Sequence, residues 1–161
     1  MGNTITYTIV VTNPSSTGYT DNAVGASFGF TAPAGFNITS ATAVQNSGTF
    51  SETSRSAVSG NTFTSVFNLT SNGQVTYTIT GTVGATMAHT SAAATAYVMR
   101  PADYTDKDAT SAIVGAPTNP QTECDGGTSG TGCNNIKTSS STTISNSTPV
   151  AVNDAGSVNE D

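Results

Sequence analysis

The stretch GNTITYTIVVTN, residues 2 to 13, decides how the rest of the chain is read. Ile5, Tyr7, Ile9 and Val11 alternate there with Thr4, Thr6 and Thr8. Successive side chains on an extended strand point to opposite faces. The alternation therefore predicts a half-buried β-strand with an apolar inner face and a threonine outer face. Asn13 and Pro14 end it, and SSTGYTDN reads as a loop. A second run, QVTYTITGTV at 74 to 83, repeats the theme with Val75, Tyr77, Ile79 and Val83 in register. The two TYTI segments read as strands of one sandwich with the same half-buried requirement, in preference to an internal duplication.

Working outward, GASFGFTAP offers Ala26, Phe28 and Phe30 as another inward face, with Pro33 and Gly35 turning the chain. FNITSATAV and residues 48 to 58 are weaker strand candidates. NTFTSVFNL sets Phe63, Phe67 and Leu69 on one side, and Asn72-Gly73 signals a tight hairpin. HTSAAATAYVM reads as a strand whose small Ala residues let two sheets approach closely, and a last edge strand is expected around Asn135 to Ile144. About seven or more short strands, separated by turn signals, predict an all-β protein, an immunoglobulin-like antiparallel β-sandwich. Ile5, Tyr7, Ile9, Phe28, Phe30, Phe67, Tyr77 and Ile79 are its expected core.

Composition points the same way. Thr is the commonest residue, Leu occurs only at Leu69, and Lys only at Lys107 and Lys137, so good helix formers are scarce. Only 9% of residues are charged, against about 25% in ordinary soluble domains. The net charge of -6 is uneven. Residues 1 to 99 hold only Asp21, Glu52 and Arg55, whereas residues 100 to 161 set eight acids against Arg100, Lys107 and Lys137. An acidic chain with pI ≈ 4.3 lacks the clustered Lys and Arg that nucleic-acid phosphates or anionic membranes require. No apolar run reaches the roughly 18 residues of a membrane helix, so neither nucleic acid nor membrane insertion is expected. Met1 and Gly2 lead straight into the first strand, which reads as an excised fragment with an added start codon.

GNTITYTIVVTN, TAPAGF, GQVTYTITGTV and RPADYTDKDATSA together resemble the bacterial surface-protein repeat known as domain of unknown function eleven. The resemblance covers roughly residues 2 to 145, interrupted by a Gly/Ser/Thr-rich insert with a cysteine pair at 115 to 135. Residues 146 to 161, containing TPVAVNDAGSVNED, read as a linker and are similar to the opening of cadherin-like adhesin repeats. The resemblance implies an extracellular or cell-surface location and neighbouring repeats of the same polypeptide as partners.

The candidate chemistry lies in the acidic part. In PADYTDKD, residues 101 to 108, Asp103, Asp106 and Asp108 crowd together. Their spacing is not that of an EF-hand. Two readings stay open: a solvated loop at the end of the sandwich, and a calcium site helped by Glu123 or Asp125. Asp154, with Asn153, Glu160 and Asp161, would ligate calcium at the junction with a following repeat. Paired carboxylates can hydrolyse glycosides, but a sugar cleft wants aromatic walls and the chain has no Trp. Cys124 and Cys133 flank DGGTSGTG, a spacer that lets the two Cα atoms come within the roughly 5.5 Å of a disulfide. In an exported protein a bridge is the expectation, with free thiols the alternative. Zinc would need two further ligands, and His89 is the sole histidine.

No serine has the glycine setting of a nucleophile elbow, and no phosphate-binding glycine loop occurs. No catalytic residue is assigned, and an enzyme is not expected. Two functions are left: a structural spacer repeat of a large bacterial secreted or surface protein of the adhesin kind, or a calcium-dependent module binding a glycan or surface protein.

Overall fold

The computed structural model describes residues 2–15, 20–87, 93–101 and 135–141. Within them the chain runs through β1 (Thr4–Asn13), β2 (Ala23–Thr31), β3 (Phe36–Ser47), β4 (Phe50–Arg55), β5 (Thr62–Leu69), β6 (Gly73–Val83), a 3-10 turn at Ala85–Met87, β7 (Thr95–Met99) and β8 (Ile136–Thr138). A three-stranded sheet, ordered β1-β6-β3, packs on a five-stranded sheet, ordered β4-β5-β2-β7-β8, and every pairing is antiparallel. The expected all-β antiparallel sandwich is therefore the fold.

The two TYTI segments turn out to be each other's partners. In the β1–β6 ladder Tyr7 faces Ile79 and Ile9 faces Tyr77, while Thr6 faces Thr80 and Thr8 faces Thr78 on the outer side. Directly opposed side chains on one face lie close enough to interact, and the Thr6 and Thr80 hydroxyls are hydrogen-bonded at 3.1 Å. β6 lies between β1 and β3, and all its odd-numbered residues from Gly73 to Val83 are buried. No residue of β1, β3 or β6 is charged.

Of the expected core, Phe28, Phe30, Phe67, Tyr77 and Ile79 are buried, whereas Ile5, Tyr7 and Ile9 are only partly so. The physical reason is position: among the described strands β1 stands at the edge of its sheet, with β6 on one flank only. Phe36, Ile38, Phe63, Leu69, Val75 and Met87 are buried beside them. Ala94 and Ala96 are buried at and before the start of β7, as their small size foretells.

One expectation fails. Asn72-Gly73 does not close a hairpin, because β5 and β6 belong to different sheets. Asn72 does adopt the left-handed conformation, with φ 58°, but the turn carries the chain across the sandwich. Its backbone is held by Gly73 N–H donating to Thr70 O at 2.8 Å and Asn72 N–H donating to Asn13 O at 2.8 Å. A second crossing runs beside it, where Gly48 and Thr49 take the chain from β3 in the small sheet to β4 in the large one.

Candidate functional site

Asp103, Asp106, Asp108, Cys124, Cys133 and Asp154, together with Glu123, Asp125 and His89, lie outside the described residues. Among the described residues no group of three or more His, Cys, Asp or Glu side chains is placed to hold a metal ion. What they do bring together is a constellation that strand periodicity conceals: Glu52 and Arg55 on β4, Ser65 on β5 and Tyr77 on β6.

Residues three apart on a regular strand face opposite ways. A bulge between Glu52 and Ser54 shifts the register, so that Glu52 stands opposite Phe67 and Arg55 opposite Ser65, both on the inward face of β5. Bulges exist to re-aim a side chain in this manner. Arg55 Nε then donates to Glu52 Oε2 at 2.7 Å, and its NH2 group pairs with the same oxygen. The guanidinium stands 5.7 Å from the Phe63 ring centroid, and its NH1 group donates to Ala41 O of β3 at 2.9 Å. Ser65 Oγ donates to Glu52 Oε1 at 2.7 Å and shares a hydrogen bond of 3.1 Å with the Tyr77 hydroxyl.

Each of the last links crosses between sheets. Arg55 belongs to the large sheet and Ala41 to the small one; Ser65 belongs to the large sheet and Tyr77 to the small one. The arrangement has a carboxylate and a hydroxyl in contact, yet Ser65 is 1% exposed. A hydroxyl so enclosed meets no substrate. Its chemistry is that of a polar tie between two apolar layers, with every buried group satisfied.

Burial pushes the Tyr77 hydroxyl up to about 12 from its ordinary 10.0, and the Glu52 charge adds to this. The Ser65 hydrogen bond and the Arg55 charge act in the opposite sense. Below pH 10 the phenol is protonated in both folded and unfolded chains, so the full contribution is present. Between about pH 10 and 12 the unfolded chain loses the proton first, and stability falls as pH rises. At about 1.4 kcal/mol per unit, the loss across this window is roughly 3 kcal/mol. Urea unfolding at stepped alkaline pH should show it. Tyr7 is also raised by burial, so the decisive comparison is Tyr77→Phe, whose stability should decline less over the same window. Parallel declines would assign the alkaline transition elsewhere.

The signal for this tie is absent from the linear sequence, where Glu52 and Arg55 read merely as two of the three charges of the first 99 residues. Among the described residues no helix is long and apolar enough to cross a membrane. Comparisons of the whole chain with protein-family models, with curated proteins and with solved structures find no match.

Proposed function

We propose that this chain is a non-catalytic structural repeat, a spacer in a large bacterial secreted or cell-surface protein of the adhesin kind, with neighbouring repeats of the same polypeptide as its partners. The observation that carries this reading is the use made of the body's charges. Arg55 bonds Ala41 O of the other sheet, and Glu52 holds Arg55 and Ser65, the two large-sheet residues from which the bonds between the sheets are made. A domain whose task is to keep its shape under load needs such cross-ties. The uncharged threonine face of the small sheet and the resemblance to surface repeats support the same reading.

The test is location together with binding. In cells that make the parent protein, an antibody to this domain should label intact cells, and external protease should remove the label. Arrays of glycans and surface proteins should give no signal with the isolated chain. A signal that vanishes with chelator would replace the spacer with a ligand-binding module.

Calcium at Asp103, Asp106, Asp108 and Asp154, and a Cys124–Cys133 bridge, belong to the same proposal. An ion that binds only the folded chain stabilises it by mass action. The melting temperature in millimolar calcium should therefore exceed that in chelator by several degrees, and Asp106→Ala should shrink the difference. Coincident melts for the natural chain would remove calcium from this domain.

A further inference from the structure

Asn72 is the only asparagine in the chain that a glycine follows. Asn-Gly is the dipeptide most prone to deamidation, because glycine has no Cβ to hold its amide nitrogen away from the asparagine side chain. In that reaction the glycine amide gives up its proton to hydroxide, and the nitrogen attacks the asparagine Cγ. A cyclic succinimide forms and the side-chain nitrogen leaves as ammonia. Water then opens the ring at one carbonyl or the other, giving aspartate or isoaspartate. The balance is a water consumed and an ammonia released.

Burial does not shield this pair, since Asn72 is exposed. Hydrogen bonds hold it instead. The Asn72 N–H donates to Asn13 O, at the end of β1, at 2.8 Å. The Asn72 carbonyl accepts the Ser47 hydroxyl, at the end of β3, at 3.0 Å. The Asn72 side-chain Oδ1 accepts the Ser15 N–H at 3.2 Å and the Ser15 hydroxyl at 2.8 Å. The Gly73 N–H donates to Thr70 O at 2.8 Å. The peptide unit between Asn72 and Gly73 is thus pinned at its oxygen and at its nitrogen. Attack on Cγ needs that unit to turn about the Asn72 Cα–C bond and the Gly73 N–H to be released, which breaks both bonds. Nor can the glycine give way to a bulkier, slower-reacting neighbour. A Cβ at Gly73 would lie 2.6 Å from Thr70 O and 2.7 Å from a Leu69 methyl carbon. The crossing therefore requires the residue that makes the pair reactive, and its bonds restrain the reaction.

We propose that Asn72 is a covalent modification site gated by the β5–β6 crossing: intact while the crossing is closed, and deamidated when the crossing opens. Aspartate at this position still offers an oxygen to Ser15. Isoaspartate lengthens the main chain by a methylene, so the Asn13, Ser47 and Thr70 bonds can no longer all be made. An opening that lasts long enough to react is thereby recorded permanently, and the isoaspartate chain closes less firmly. The inference stands apart from the spacer reading, since it concerns how the crossing is held and not what the domain is for.

The test incubates the full 161-residue chain at mildly alkaline pH, in buffer and in unfolding urea, and follows aspartate and isoaspartate at position 72 by peptide mapping. A reaction confined to an open state runs at the open-state rate multiplied by the open fraction. Deamidation in buffer is therefore expected to be at least about tenfold slower than in urea. The double variant Ser15→Ala/Ser47→Ala removes two of the restraining hydroxyls. It should react at least about threefold faster than the natural chain in buffer and at the same rate in urea. Gly60→Ala separates local from global opening, because Gly60 is bonded to Asn37 and Ile38 at the start of β3, away from this crossing. Its rate in buffer should stay within about twofold of the natural chain. Equal rates in buffer and urea would overturn the proposal, as would a double variant no faster than the natural chain. A Gly60→Ala chain as fast as the double variant would overturn it too, by assigning the reaction to global unfolding.

Discussion

Tyr77→Ala is expected to lower the unfolding free energy by about 3–5 kcal/mol, the range for removing a large aromatic side chain from a packed core. Tyr77 is at 0% exposure in the central strand of the small sheet. Its ring stacks on Phe28 at 4.0 Å and 6°, and meets Phe50 at 6.2 Å and Phe67 at 6.3 Å. The substitution therefore opens a cavity walled by three aromatic rings from the opposite sheet, and such rings cannot close it without leaving their own partners. It also takes one hydrogen bond from Ser65 Oγ, which keeps its bond to Glu52. Since small domains are stable by only about 5–15 kcal/mol, a large part of the margin goes. Tyr77→Phe separates the two effects: it keeps the ring and should cost about 1 kcal/mol. Tyr7→Ala, at the half-buried edge, should fall between them. Urea denaturation of the three variants measures this order. A loss below about 1 kcal/mol for Tyr77→Ala would mean that the Ile9↔Tyr77 register is wrong.

That register shows how far the sequence could be read. Strict alternation in β1 and β6 marks both strands and the side that each buries, because a one-residue slip would expose every apolar side chain. It cannot rank Tyr7 against Tyr77, since identical TYTI segments differ only in whether a neighbour lies on one flank or both. Strand order decides that, and order is a property of the assembled sheets. Asn72-Gly73 fails as a hairpin signal for a related reason: the left-handed residue it supplies serves a crossing between sheets as well as a turn within one. The Glu52–Arg55–Ser65–Tyr77 tie is illegible because a single bulge reverses the facing of Arg55. For the acidic and cysteine-bearing residues beyond Pro101, apart from the short run around β8, the reading still rests on sequence alone.

The second large effect is expected where the two crossings touch. Gly48 has φ 66°, and a Cβ built on it would lie 2.6 Å from Gly73 Cα and 2.6 Å from Thr70 Oγ1. Thr70 Oγ1 cannot swing aside freely, because it accepts the Thr49 N–H at 2.8 Å. Gly73 is fixed too, as the first residue of β6 and the donor to Thr70 O. Gly48→Ala thus meets two costs, about 1–2 kcal/mol for the left-handed conformation and about 1–3 kcal/mol for overpacking against backbone. Roughly 2–5 kcal/mol is expected in total. Gly60→Ala is the control: Gly60 has φ 67° but nothing within 4 Å of the added carbon, so it should lose only the conformational part. The difference between the two variants, measured by urea unfolding, isolates the contact between the β3–β4 and β5–β6 crossings. Equal losses would show that the crossings do not bear on each other, and would leave the Glu52–Arg55–Ser65–Tyr77 bonds as the main polar tie between the sheets. A clearly larger loss at Gly48 would locate a second tie at the crossings, at the end of the sandwich where β3 and β5 leave their sheets. Two separated ties resist the sliding of one sheet over the other better than one, which is the property the spacer reading requires.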